Sequence, residues 1–449
     1  MTLSQKTLKS LLIISSLAFA FSWLPAPDLF DNVCNFLILL SILAILMPSN
    51  TALRRDSVVR LGVLLAVFLA ISIMWHRISL PESFHTGRAR KLLSVFYFVP
   101  IAYAIAKSNL LTPWRLLAAA FAGLVAYLML NFNAEEWANA WQGQRVDFGI
   151  DNAQHAGVVF ATCAIAFSVF TCRFFQGVKG LPRPVAMACL SIWLCSLLFS
   201  FWGVFITQTR AVWLAMACTL IALPFFIGLS YLLRKNAHTS LRKPLLGALA
   251  FIAIFGVFSY SLDAPKLVEN RIAEERTSWE NLRLAASHET QDLSSIGVRV
   301  ASWSAATEWI MERPFMGWGG RGPKELIRQS DYFSDSFKEQ FGHLHNSYLE
   351  VLIKTGLLGA ALIILLIVFL GRTIITSYKR GSTPTDVFIF SWLFFVFWLI
   401  VNGFESYIYY PSGVYLVALV AALFYSFSLC EKHASQKTSE PTPDSRETR

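Results

Sequence analysis

The chain has 449 residues, of which 55% are hydrophobic and 15% charged, with a mean hydropathy of +0.53. A soluble fold of this length has no interior for so much apolar surface, which leaves a polytopic membrane protein. The net charge of +10 sits mainly in the connections between apolar runs, where it reports topology and calls for no nucleic-acid partner.

About twelve apolar spans follow one another: 8–24, 29–47, 58–75, 92–106, 114–130, 156–172, 185–206, 211–233, 245–262, 347–370, 386–402 and 412–430. They predict an all-α polytopic membrane protein. Lys6 and Lys9 precede the first span as in a signal peptide, but Pro25-Ala26-Pro27-Asp28 offers no small-x-small cleavage site, so a retained helix is expected. The predicted organisation is 1–262 with spans one to nine, a polar insertion at 263–346, spans ten to twelve at 347–430, and a disordered tail at 431–449 rich in Ser, Thr, Glu and Pro. The seven cysteines lie inside or at the ends of spans and read as packing residues, without a disulfide framework or zinc site.

With the N-terminus in the cytoplasm, every cytoplasmic connection carries Lys or Arg, from Lys6 and Lys9 through Arg54, Arg55 and Arg60 to Arg372, Lys379 and Arg380. The short outer connections around Asp28 and Glu405 carry none. Both termini are therefore expected in the cytoplasm. One outer connection breaks the pattern: 76–91 contains Arg77, Arg88, Arg90 and Lys91 against Glu82 alone. Anchoring to anionic headgroups accounts for it, and so does an anion-binding surface for a phosphorylated substrate.

The insertion 263–346 also lies outside and mixes ten Lys/Arg with thirteen Asp/Glu. Its tryptophans and small apolar residues predict amphipathic helices near 265–290 and 297–312, the second ended by Pro314. A glycine-rich turn, Gly317 to Gly322, follows, with Arg321 in it. The whole reads as an ordered lid over the outer membrane face.

Three observations carry chemistry. Arg210 opens span eight, where a helix N-terminus and a guanidinium together suit phosphate; an interfacial snorkelling arginine is the plain alternative. Arg299 lies on the second amphipathic helix, where a structural salt bridge serves as well. His343 and His345 stand just before span ten, and His345 is the preferred general base. Ser347 and Glu350 have capping-box spacing, which gives Glu350 a structural role at the helix start. No HExxH, Walker loop, Gly-x-Ser-x-Gly or Asp-x-Asp occurs, and the outer carboxylates are scattered, so neither a metal nor any other cofactor is expected. A transferase facing away from the cytoplasm has no nucleotide supply and needs a donor carried by the membrane. A polyprenyl-diphosphate glycan is such a donor, with arginines on the diphosphate and a histidine on the attacking hydroxyl.

These residues fall into motifs. Thr207 to Leu214 opens a span; Arg299-x-x-x-Trp303 precedes Pro314-x-x-Gly317-x-Gly319; His343-x-His345-Asn346-x-Tyr348-Leu349-Glu350 runs into Thr355-Gly356-Leu357-Leu358-Gly359. In this order, with a large loop before the histidines, the chain resembles the O-antigen ligase family. The resemblance covers roughly 200–370 by motif and the whole chain by topology. It implies a GT-C-like fold of twelve helices in the inner membrane of a Gram-negative bacterium, with a periplasmic active site. It further implies transfer of a glycan from undecaprenyl diphosphate to lipid A–core, without metal and with inversion. Arg210 and Arg299 then correspond to diphosphate-binding residues, and His345, with His343 beside it, to the base. Arg88 and Arg90 are added from the charge anomaly. O-antigen polymerases and protein O-oligosaccharyltransferases share the donor and differ in acceptor. A lipid-linked glycan flippase, the non-enzyme alternative, calls for internal repeats, and none is evident.

Overall fold

The computed structural model describes residues 3–47, 50–85, 88–234, 242–261 and 295–439, and the architecture is given for these. The helices are α1 Leu3–Ser22, α2 Pro27–Leu46, α3 Thr51–Arg55, α4 Ser57–Ser79, α5 Glu82–His85, α6 Phe98–Lys107, α7 Pro113–Leu130, α8 Ala134–Trp141 and α9 Ala153–Val178. They continue as α10 Arg183–Ile206, α11 Arg210–Leu233, α12 Arg242–Ser261, α13 Ser295–Glu312, α14 Gly322–Gln329, α15 Asp335–Gln340, α16 Ser347–Lys379, α17 Thr385–Val401 and α18 Pro411–Ser439. No strand occurs among the described residues.

Eight of these helices (α2, α4, α7, α9, α10, α11, α16 and α18) are long and apolar enough to cross a membrane. The other expected spans fall on the 20-residue α1 and on three shorter apolar helical stretches, Lys91–Ala106, Phe251–Tyr260 and Thr385–Val401. The chain is thus an all-α polytopic membrane protein. The fourth span is irregular for a local reason. Pro100 lacks an N–H for the carbonyl of Phe96, four residues back, so the ladder is interrupted between the 3-10 segment Arg88–Phe96 and α6. Helix starts carry the expected caps: Asp56 accepts from Val58 and Val59, Asn152 from Gln154 and His155, and Thr112 from Arg115.

α18 is the centre of the bundle: its spanning window is 83% buried, against 17% for α7 at the rim. It packs on α6, while α9 pairs with α10 and α11 with α17. Outward-facing Leu43, Ile71, Ile192 and Ile221 stay exposed, as side chains turned to lipid would be. At the end of the bundle farthest from the histidines, basic residues are tied across helices. Arg173 forks onto Asp386 at 2.5 and 2.7 Å, Arg234 reaches the Tyr378 and Thr383 carbonyls, and Lys432 meets Asp56. α18 continues through Ser439, so the expected tail does not begin at Glu431; the polar run 431–439 extends the helix, and 440–449 lie outside the described residues.

Residues 295–346 build a second core together with the segment after α4 and the first turns of α16. Leu80, Phe84, Ala306, Trp309, Ile327, Phe337 and Leu344 close on Ile353 of α16. The helix expected near 297–312 is α13; the one expected near 265–290 lies outside the described residues.

The cap is joined to the bundle at a break in α16. Gly356 adopts φ 63°, and the turn after Pro314 inserts its backbone into the gap. Trp318 N–H donates to Ile353 O at 2.6 Å and Gly319 N–H to Lys354 O at 3.2 Å. In return Leu357 N–H donates to Pro314 O at 2.7 Å. A Cβ at Gly356 would overlap the Phe315 carbonyl, so glycine is required both for its conformation and for the close approach. Gly356→Ala is therefore expected to lower stability by roughly 1–3 kcal/mol and to expose the 314–319 turn to protease. Unchanged melting and unchanged digestion of that turn would count against the junction.

Candidate active site

Two histidines and a glutamate meet at the end of the bundle beneath the cap. His345 Nδ1 lies 2.8 Å from Glu405 Oε2, His343 Nε2 lies 3.3 Å from Glu405 Oε1, and the two rings approach at 3.2 Å. Glu405 is buried in the connection between α17 and α18, and its Oε1 also accepts Ser406 N–H at 2.8 Å. Burial alone would raise its carboxyl pKa. The hydrogen bonds from His343 and His345, with their positive charge whenever they are protonated, outweigh burial and hold it ionised, well below the usual carboxylate range. A carboxylate can only accept, so each imidazole turns an N–H toward it. For His345 that proton is on Nδ1, which leaves Nε2 as the basic nitrogen.

The histidine strap is fixed at several points. His345 itself takes φ 49°, the left-handed region. Asn346 caps α16 by accepting from Tyr348 and Leu349. Ser347 Oγ reaches the Asn402 side chain at 2.5 Å and Glu405 O at 2.9 Å, binding the strap to the segment that carries Glu405. Glu350 does not form the expected capping box. Asn346 is the cap, which puts Glu350 one residue beyond the position that could reach back to it. Its Oε1 accepts Leu344 N–H at 3.0 Å instead, and its carboxylate pairs with Lys354.

The arginines differ in placement. Arg299, on α13, is partly buried, with Nη2 3.5 Å from Gln154 Oε1 and Nε buried without a hydrogen-bond partner. Burial lowers its pKa, while the negative charge of Glu405 acts to keep it charged, so it belongs to the same electrostatic site. Arg210 is the first residue of α11 and is partly buried. Its preceding turn is tied to the start of α9, where Thr209 Oγ1 donates to Ala153 O at 2.9 Å, next to Gln154. Arg88 and Arg90 open the 3-10 segment, which packs against the Tyr407–Tyr409 turn; their side chains lie outside the described residues.

Three participants escaped the sequence. Glu405 is distant along the chain from the histidines, and its signal, a carboxylate in an outer connection without Lys or Arg, reads there as topology. Arg145 donates from Nε to Thr207 O at 3.2 Å and joins the Arg210 turn. His155, on α9, packs its ring between Tyr407 and Tyr410. Its Nδ1 faces both Ser412 Oγ at 2.5 Å and Asp151 Oδ2 at 3.6 Å. Serine and carboxylate share one nitrogen, so this trio cannot relay a proton from the hydroxyl as a Ser-His-Asp nucleophile does.

His343, His345 and Glu405 also present ligand atoms within 4.8 Å of one another, a donor set that suits a divalent cation by type. In the structure these atoms are engaged with one another at 2.8 to 3.3 Å.

A family model described as O-antigen ligase matches residues 195–364, from α10 through the break in α16, and so takes in Arg210, Arg299, His343 and His345. No curated protein matches the chain.

The state of Glu405 has a measurable consequence. Its ionised form stabilises the fold at pH above the free carboxylate value of about 4.3. Below that value the unfolded chain takes up a proton that the folded site resists, so the contribution is lost as pH falls toward the depressed folded value. The gap in melting temperature between wild type and Glu405→Gln should therefore narrow between about pH 5 and pH 3. A gap that widens on acidification is incompatible with a carboxylate held ionised in the fold.

Proposed function

We propose that the chain, whose residues 195–364 match a family model described as O-antigen ligase, transfers a glycan from undecaprenyl diphosphate to lipid A–core at the periplasmic face of the inner membrane, with His345 as general base. The observation that carries this is the 2.8 Å contact of His345 Nδ1 with buried, ionised Glu405. It leaves Nε2 free to take a proton and stabilises the imidazolium that results.

The acceptor hydroxyl oxygen attacks the anomeric carbon as its proton passes to Nε2 of His345. The bond from that carbon to the diphosphate oxygen breaks, and polyprenyl diphosphate leaves with the electron pair. One displacement inverts the anomeric configuration. Negative charge grows on the leaving diphosphate, where Arg299 and Arg210 oppose it; a guanidinium offers a planar fork that suits phosphate oxygens. A charge of this kind acts more strongly in the dry corner under the cap than in water. Arg88 and Arg90 are assigned to the same anionic substrate at the rim. The histidine supplies the base function without a metal.

The test is transfer by purified protein given an undecaprenyl-diphosphate glycan together with either lipid A–core or a second donor glycan. Extension of lipid A–core supports the ligase; extension of the second glycan makes the enzyme a polymerase with the same donor site. His345→Ala is expected to lower kcat by roughly 10²–10⁴-fold, the usual worth of general-base catalysis, and wild-type turnover in that variant would remove His345 from the role. Arg299→Lys should lose about tenfold or more, as a point charge replaces a fork. Treatment with a strong chelator should leave turnover unchanged. Loss on chelation with recovery on adding a divalent cation would assign the His343, His345 and Glu405 cluster to a metal instead.

A further inference from the structure

Leu344, between the two histidines, has its backbone held on both sides by side chains from other elements. Its N–H donates to Glu350 Oε1 at 3.0 Å and its carbonyl accepts from Trp303 Nε1 at 2.9 Å. Its own side chain is fully buried in the cap core. Glu350 is 1% exposed, too deep to touch substrate, and Lys354, one turn along α16, is its buried counter-ion. Lys354 Nζ also lies 3.6 Å from the centre of the Tyr409 ring, four residues after Glu405.

We propose that Glu350, Lys354 and Trp303 form a positioning clamp that sets the base, its carboxylate and the diphosphate-binding arginine in one register through the backbone of Leu344. The proposal rests on the assignment of His345 and Arg299 made above. Trp303 follows Arg299 by four residues, so both project from one face of α13, a turn apart. Fixing Trp303 to Leu344 O therefore fixes the height of Arg299 against His345. Tyr409 brings in the 402–410 segment, so that a single ion pair is the common reference for three chain segments. The left-handed backbone of His345 adds the need: a strained residue keeps its conformation only when its neighbours dictate it. Lys354 further accepts Gly319 N–H on its carbonyl, which ties the clamp to the cap junction.

The clamp acts through an acceptor at position 350, so acceptor and charge are separable. Glu350→Leu with Lys354→Met removes the acceptor and leaves no unpaired buried charge. Glu350→Gln with Lys354→Gln keeps an acceptor for Leu344 and lets the two amides bond to each other. Trp303→Phe removes the other bond while keeping an aromatic ring. For each, transfer kinetics are measured with thermal melting and with the rate at which diethyl pyrocarbonate modifies His345, read by peptide mass.

The leucine–methionine variant should lose roughly 100-fold in kcat, the scale of an ångström of misplacement, with little change in donor KM and faster modification of His345. The glutamine pair should recover most of the rate and slow the modification again. Trp303→Phe should shift His345 reactivity in the same direction as leucine–methionine. The clamp is overturned if the leucine–methionine variant keeps wild-type turnover and His345 reactivity, or if both double variants lose the rate equally. Should the leucine–methionine variant not fold, unchanged His345 reactivity in Trp303→Phe overturns it alone. If wild type transfers no glycan, the functional assignment fails, and His345 reactivity still decides the clamp.

Discussion

Backbone inside a membrane protein must find hydrogen bonds within the protein, and α16 violates its own ladder at Gly356. Almost everything above the bundle follows from how that violation is repaired. The turn 314–319 fills the gap with its own N–H and carbonyl groups, so the cap is attached by backbone, which sequence drift in side chains cannot easily loosen. Attachment at that point places α13 over the start of α16, and α13 carries Arg299 and Trp303. The same first turns of α16 present Glu350 and Lys354 and lead from the histidine strap. A break in one helix thus sets the distance between two halves of a site that are far apart in the chain.

Burying charge in this region is costly unless each charge is answered. The structure answers them in turn: Glu350 with Lys354, Glu405 with two imidazoles, Arg299 with the field of Glu405. Pairs of this kind contribute little net stability over well-packed apolar residues, but losing one partner leaves an uncompensated ion. Their value here is geometric. Polar partners with fixed directions hold a strap in a left-handed conformation that apolar packing alone would not select.

The spans were legible because period and length in an apolar chain are local properties, and each expected span falls on a helix. The histidines were legible as a local anomaly at the mouth of an apolar helix, whereas Arg299, on a polar loop, gained its reading only from the motif that resembles the O-antigen ligase family. Glu405 was not, since its meaning comes from a partner some sixty residues earlier, and a lone acidic residue in a short connection also fits the charge rule for topology. Glu350 was misread because Ser347-x-x-Glu350 has capping-box spacing; Asn346, one residue earlier, takes the cap and releases Glu350 for Leu344. Pro314-x-x-Gly317-x-Gly319 and Thr355-Gly356 look like separate loop and helix signals. They are the two sides of one junction, a relation that spacing cannot express.

The proposal of His345, of the two histidines, as the base rests on the carboxylate between them. Glu405 Oε2 is taken by His345, and Oε1 by His343 and by Ser406 N–H. Its acceptors are engaged on both oxygens, so it stays an orienter and is not available to collect a proton itself. His343 binds it through Nε2, which leaves that ring with Nδ1, the nitrogen crowded by its own backbone. His345 binds it through Nδ1 and keeps Nε2, the nitrogen at the far edge of the ring, for a substrate. The two histidines, separated by Leu344, thus meet the same carboxylate through different ring nitrogens. His343 and Ser406 N–H, by holding Oε1, fix the plane of the carboxylate and so the direction from which Oε2 meets His345.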